Sequence, residues 1–296
     1  MSVLIFDQLT DPREISNNPY QLFCPYCKSN LEAFEVVGDM WQISNDEILE
    51  IHKKTSDSYK ELHNLEDCYL NLDLDSKEFE IYVNYCPTCG WWRLVKDICI
   101  CAKTWQIWDI FFGYCSVLKN LNLKDIDLPL KEVSSYLVAK YEDRFKINPK
   151  VFEDVVANVF KSVGQDVLVT GYTHDSGIDV ILGDSNEDFI GIQVKRYRNK
   201  IKVEQIRSFA GALILAGYKK GIFVTTSDFQ PGAVKAADQY SNIALPIELL
   251  NAEKFYDALK FKQRENFDID LIKELISQDN SGRLFYYGCE CHRNSL

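Results

Sequence analysis

The chain writes one short figure twice, as Cys24-Pro25-Tyr26-Cys27 and as Cys86-Pro87-Thr88-Cys89-Gly90. Each copy puts two thiols on one tight turn, where backbone amides can hydrogen-bond the sulfurs. Two such turns brought together offer four thiolates in a tetrahedral array, the coordination suited to structural zinc. Four unligated buried thiols are the ordinary alternative, but packing gives no reason for the figure to recur. The consequence for folding is long-range. The knuckles are separated by 58 residues, more than a compact zinc ribbon holds, so the region must carry a large insertion. Met1–Asp7 lacks the basic and apolar stretches of a signal peptide, and no run approaches 18 apolar residues. A cytoplasmic setting is therefore expected, one that keeps thiols reduced and favours metal over disulfides.

The remaining cysteines are less informative. Cys99 and Cys101 share a face if they lie on a strand, and Cys68 and Cys115 read as small core residues. Cys289, Cys291 and His292 can be imagined as part of a second metal site, but terminal residues are often poorly ordered. His52, His63 and His174 have no ligand-like spacing.

Charge divides the chain unevenly. The total is −11, which argues against indiscriminate nucleic-acid binding. Residues 1–128 hold 11 basic and 21 acidic residues, a net −10. Within 195–220, Lys195, Arg196, Arg198, Lys200, Lys202, Arg207, Lys219 and Lys220 face Glu204 alone, a net +7. Screening limits the reach of distant charge to about 10 Å, so such a stripe can meet phosphate even on an acidic protein. A solvated loop and helix face is the plainer reading.

A length of 296 residues predicts two domains. Residues 1–128 are expected to form a zinc-ribbon-like α+β domain with a long insertion between the knuckles. It should include a polar helix over 45–67 and a strand ending at Phe79–Val83. Pro129 marks the boundary, a connecting helix follows over 129–148, and a charged helical tail over 261–296 closes the chain. Between them, 149–260 reads α-β-β-β-α-β-α-β-α. Asn148-Pro149 caps the first helix, whose apolar face is Val151, Phe152, Val155, Val156, Val159 and Phe160. Strands are expected at 167–172, 178–182, 189–195, 221–226 and 243–249, with helices at 203–216, 231–240 and 252–259. This is an α/β domain with a mixed central sheet and helices on both faces.

The chemistry-bearing residues fall on the second and third strands of that domain. Gly177-Ile178-Asp179 opens one and Gln193-Val194-Lys195 ends the next. Residues two apart share a face, so Gln193 and Lys195 point the same way. If the strands pair as a hairpin, Asp179 lies beside them, and Glu153 on the preceding helix can add a second carboxylate. Phosphodiester hydrolysis needs such a set: hard oxygen ligands for a divalent cation, and a lysine to orient water or offset negative charge. Each residue alone has an ordinary reading: a strand start for Asp179, an exposed strand end for Lys195, helix-terminus complementation for Glu153. Their order along the chain favours the chemical one.

At these residues the sequence resembles the Mrr-type restriction endonucleases of the PD-(D/E)xK nuclease superfamily. The resemblance is carried over about 110 residues by Phe152-Glu153, Gly177-Ile178-Asp179, Gln193-Val194-Lys195-Arg196-Tyr197, Gly211-Ala212 and Val224-Thr225-Thr226-Ser227-Asp228-Phe229. It implies a restriction-endonuclease-like fold and DNA cleavage dependent on magnesium, or manganese in its place. By position, Asp179 is then the main metal ligand, Gln193 replaces the usual Glu as in the Mrr branch, Glu153 completes the metal charge, and Lys195 is the catalytic lysine. Arg196, Arg198, Lys200 and Lys202 are expected to meet DNA. Departures from the family pattern are Ser176 in Asp175-Ser176-Gly177 and Glu248 after Ile247.

The leading expectation is thus a DNA endonuclease of restriction or anti-phage defence. The N-terminal region would sense a target or bind a protein partner of the defence system. A homodimer is compatible with cutting two strands. The competing expectation is a nuclease-like fold that only binds DNA or a partner, which Gln193 keeps open. A Holliday-junction resolvase-like nuclease is a third.

Overall fold

The computed structural model of the chain describes residues 5–16, 18–36, 38, 40–64, 72–101, 107–170, 177–183, 189–263, 270, 272, 274 and 282–289. In chain order its strands are β1 (Phe6–Thr10), β2 (Glu32–Glu35), β3 (Glu78–Tyr85), β4 (Trp92–Cys101), β5 (Ile107–Leu118), β6 (Asp166–Val169), β7 (Val180–Gly183), β8 (Ile190–Lys195), β9 (Lys220–Thr225), β10 (Ile247–Leu250) and β11 (Arg283–Cys289). The helices are α1 (Asn45–His63), α2 (Leu130–Ala139), α3 (Pro149–Ser162), α4 (Val203–Ala216), α5 (Pro231–Ser241) and α6 (Ala252–Lys262). Among the described residues, no helix is long and apolar enough to cross a membrane. The chain divides into two compact units, essentially residues 120–264 and residues 4–119 with 265–296.

The second of these units is built on an antiparallel sheet of order β1-β5-β4-β3-β2, with β11 also paired to β5. One face of β3, β4 and β5 buries Ile81, Val83, Leu94, Ile98, Ile110 and Phe112, the alternation expected of a sheet packed on one side. α1 is capped by the Ser44 side chain, which accepts from Glu47 N–H at 3.2 Å. Ile48 is its fully buried apolar side chain, while Leu49 and Leu62 face water. The charged tail does not stay helical, since Arg283–Cys289 is a strand antiparallel to β5. Cys115 is buried as expected, Cys99 is half-buried and Cys101 is exposed. Cys68, His174, Cys291 and His292 lie outside the described residues, as does the side chain of Cys289.

The other unit has a mixed sheet of order β10-β9-β8-β7-β6. β6, β7 and β8 are antiparallel neighbours, and β8, β9 and β10 are parallel. The unit starts near Asn120 rather than at Pro129, because Leu123 is buried and its carbonyl accepts from Asn148 N–H at 2.7 Å. α2 is part of this body, with seven buried residues from Val133 to Ala139. Asn148 and Pro149 start α3 as the cap pattern demands, the Asn148 side chain accepting from Lys150 N–H at 2.9 Å. β10 starts at Ile247, later than residue 243, because Ala244 has a left-handed φ of 66° and Pro246 has no N–H to give a ladder.

α4 lies very close to β8 and β9. A Cβ on Gly191 would come within 2.6 Å of Leu213, and one on Gly221 within 2.4 Å of Leu213 and 2.8 Å of Phe209. Gly221→Ala is therefore expected to destabilise the protein by about 1–3 kcal/mol, the usual cost of overpacking. Gly211→Ala meets nothing within 4 Å in α4 and should be neutral or stabilising by about 0.5–1 kcal/mol. Urea unfolding midpoints check the pair, and equal midpoints would contradict the close packing.

Candidate active site and cysteine cluster

Asp179 immediately precedes β7, and backbone bonds fix it on both sides. Its N–H donates to Ile192 O at 2.8 Å, and its carbonyl accepts from Thr170 N–H at 3.0 Å. The side chain is held as well, because Val194 N–H donates to Asp179 Oδ2 at 2.7 Å. That bond aims the carboxylate at the end of β8, where Lys195 Nζ lies 3.9 Å from the same oxygen. Two of the residues expected from the sequence are thus brought together by the pairing of β7 with β8.

Glu153 lies on α3, 3.0 Å from Lys150 Nζ. Burial pushes its carboxyl above the ordinary range, opposed by the Lys150 hydrogen bond and reinforced by the negative charge of Asp179. Glu153 therefore feels the charge of Asp179. Gln193 shares a strand face with Lys195 but is buried, with its amide nitrogen 3.5 Å from where a Gly177 Cβ would sit. Gly177 has φ 77°, a left-handed backbone that favours glycine, whereas a Cβ there would make only ordinary contact with Gln193.

The basic segment after Lys195 is braced by hydroxyls at the end of β9. Thr225 Oγ1 donates to Lys195 O at 3.0 Å, Thr226 Oγ1 to Tyr197 O at 2.9 Å, and Ser227 Oγ to Arg198 O at 3.1 Å. Sequence reasoning saw this Thr-Thr-Ser run only as a matching motif, because side-chain bonds to a distant loop have no local signature. Arg196 points into the fold and donates to Phe145 O at 2.5 Å. Arg198 stacks over the Phe145 ring, with Arg144 also over that ring at 4.2 Å. Lys200 pairs with Asp228 at 2.8 Å in an exposed bridge of the kind that contributes little. Arg198, Lys200 and Lys202 are exposed, whereas Arg196 is half-buried.

The four knuckle cysteines converge. Cys24 and Cys89 Sγ are 3.5 Å apart, Cys27 and Cys86 Sγ 3.4 Å, and all four ligand atoms lie within 4.8 Å of one another. All four residues are buried. Both knuckles are closed by the same backbone bond, Lys28 N–H to Cys24 O at 3.1 Å and Gly90 N–H to Cys86 O at 2.9 Å. Lys28 and Gly90 both take left-handed backbone, with φ of 63° and 85°. Hydrogen bonds from Cys24 pull Cys27 and Cys86 below the ordinary thiol range, while burial holds Cys89 well above it. About 3.7 Å between sulfurs is what tetrahedral coordination at about 2.3 Å requires, so the cluster can hold a metal ion.

Residues 145–259 match the Mrr-type family model described as restriction endonuclease. The segment is similar to restriction endonuclease domains. Over 128 residues the chain is 29% identical to the type IV methyl-directed restriction enzyme EcoKMrr of Escherichia coli (strain K12), a stretch that spans 40% of this chain and 42% of that one. The chain thus aligns with less than half the length of that relative. Among solved structures, the MspJI restriction endonuclease in complex with a 27-mer oligonucleotide is similar at 18% identity and a TM-score of 0.30, covering 51% of this chain and 35% of that one. The restriction endonuclease FokI bound to DNA is similar at 14% identity and a TM-score of 0.34, covering 55% and 36%. Glu153, Asp179, Gln193 and Lys195 all lie within the matched segment.

Glu153 gives this domain a pH signature. The folded state holds its proton more tightly than the unfolded chain does, so ionising Glu153 costs stability as pH rises through the carboxylate range. The contribution is fully favourable only below that range. In buffer free of divalent cations, urea unfolding from about pH 4 to pH 7 should show wild type losing stability relative to Glu153→Gln. Parallel profiles would contradict the assignment.

Proposed function

We propose that the chain is a metal-dependent DNA endonuclease of restriction or anti-phage defence, with Asp179 and Lys195 at its reacting centre. The observation that carries this is the bond from Val194 N–H to Asp179 Oδ2, which sets the carboxylate 3.9 Å from the Lys195 ammonium within a segment similar to restriction endonuclease domains. Glu153, whose ionisation is made harder by burial and by the negative charge of Asp179, forms with Asp179 a donor set suited to a divalent cation. Asp179, Glu153 and the amide oxygen of Gln193 would hold magnesium or manganese. Such a cation, when bound, polarises a phosphoryl oxygen and acidifies a bound water.

The chain's own residues do the rest. Lys195 brings an ammonium to the edge of the carboxylates, where it orients water and offsets the negative charge that builds on a phosphodiester under attack. Asp179 cannot swing away, because its Oδ2 is tied to β8. Exposed Arg198, Lys200 and Lys202 lead outward from Lys195 and offer positive charge to a DNA backbone. Arg196 holds the segment against Phe145. A module that only binds DNA has no use for a carboxylate and an ammonium fixed side by side.

In the other unit we assign structural zinc to Cys24, Cys27, Cys86 and Cys89, and a target-sensing or partner-binding role to the region around it. Magnesium-dependent cleavage of duplex DNA by the full chain is expected to fall at least ~100-fold in Asp179→Ala and in Lys195→Ala. Equal cleavage by all three proteins would remove the assignment. Elemental analysis should find about one zinc per chain, lost or sharply reduced in Cys86→Ser. Full zinc content in that variant would contradict the four-thiolate site.

A further inference from the structure

A second lysine stands at the carboxylate pair, and the activity proposed above does not use it. Lys150 is the second residue of α3, its N–H taken by the Asn148 cap. Its ammonium donates to Glu153 Oε2 at 3.0 Å and to Thr170 O, just past β6, at 3.4 Å. Lys150 and Glu153 side chains are only 25% and 21% exposed. An ion pair three residues apart on one helix is commonplace and weak. The third partner sets this one apart, because it lies on a different element.

Thr170 is itself fastened to Asp179. Its N–H donates to Asp179 O at 3.0 Å, and its hydroxyl reaches Ile178 O at 2.8 Å and Asp179 O at 3.0 Å. A continuous path of hydrogen bonds therefore runs from the Glu153 carboxylate through the Lys150 ammonium and Thr170 to the backbone of Asp179. The path joins α3 to the strand pair that presents the other carboxylate. We propose that Lys150 is a positioning residue of the cation site, holding Glu153 at a fixed place relative to Asp179. The inference rests on the reading of Asp179 and Glu153 as cation ligands.

Two effects of this lysine on cation binding have opposite signs. As a positive charge beside a ligand it repels an incoming cation. As a brace it holds a carboxylate in place that would otherwise turn to water. The bond engages Oε2, and a carboxylate offers two oxygens, so bracing and ligation are compatible. Partners that hold a metal ligand typically contribute 10–100-fold in metal affinity, and here the brace outweighs the charge.

The test is a Mn2+ titration of the full chain, read by the electron paramagnetic resonance of the free ion, with no DNA and no turnover. Wild type, Lys150→Met, Lys150→Arg and Asp179→Asn are compared, with circular dichroism and urea unfolding to verify the fold of each. Lys150→Met is expected to bind Mn2+ about tenfold more weakly. Lys150→Arg, which keeps the charge and can reach both partners, should stay within about threefold of wild type. Unchanged or tighter binding in Lys150→Met, with Asp179→Asn still deficient, overturns the brace and leaves the cation site standing. Wild-type binding by Asp179→Asn overturns the cation reading itself, and the brace with it.

Discussion

The hydrogen bond from Val194 N–H to Asp179 Oδ2 ties the proposed site of this protein to its sheet. A carboxylate at a strand edge normally samples several rotamers. Here the neighbouring strand supplies a backbone donor that selects one of them. The selection depends on register, with Val180 opposite Ile192 and Ile181 opposite Gly191. A slip of one residue would turn the β8 side chains to the opposite face and part Lys195 from Asp179. Parallel pairing of β8 with β9 then places Thr225 beside Lys195, and the hydroxyls that follow brace the exposed basic segment. α4 presses on the glycines of both strands from the same side as Gln193. The site is a property of three paired strands, each supplying a part the others cannot.

The knuckles do comparable work in the other unit. Cys86 and Cys89 lie between β3 and β4, and Cys24 and Cys27 precede β2. Glu32 pairs with Tyr85, and Tyr85 with Trp92, so the thiols gather at one end of three adjacent strands. A cation there would cross-link segments that are far apart in sequence, at the place where the hairpin would otherwise fray. The 58-residue insertion is thereby accounted for: it carries β2, α1 and β3, and returns the chain to the same sheet end.

Much of the unit of residues 120–264 was legible from local signals. Asn148-Pro149 announced α3, Gly217 ended α4, and short β-branched runs between turns marked the strands. The pairing of Asp179 with Lys195 followed from strand periodicity and a hairpin assumption that the register bears out. What escaped was set by distant partners. β11 lies in a charged tail that reads as helix overall, yet its own Leu284-Phe285-Tyr286-Tyr287 run suits a strand and pairs with β5. Leu123 drew the unit boundary inward through one buried side chain. Arg196 read as a DNA contact because the carbonyl of Phe145, which takes its guanidinium, is 51 residues away. Lys150 was not singled out in the sequence. The one hint was its spacing of three from Glu153, and nothing in the sequence pointed to Thr170.

The proposed reaction needs one place for a cation, between the carboxylates of Asp179 and Glu153. Anomalous diffraction from a crystal of the full chain soaked in Mn2+ locates that place without recourse to turnover. A peak within about 2.0–2.6 Å of oxygens from both side chains is the predicted result. A map with manganese elsewhere and none at this pair would contradict it.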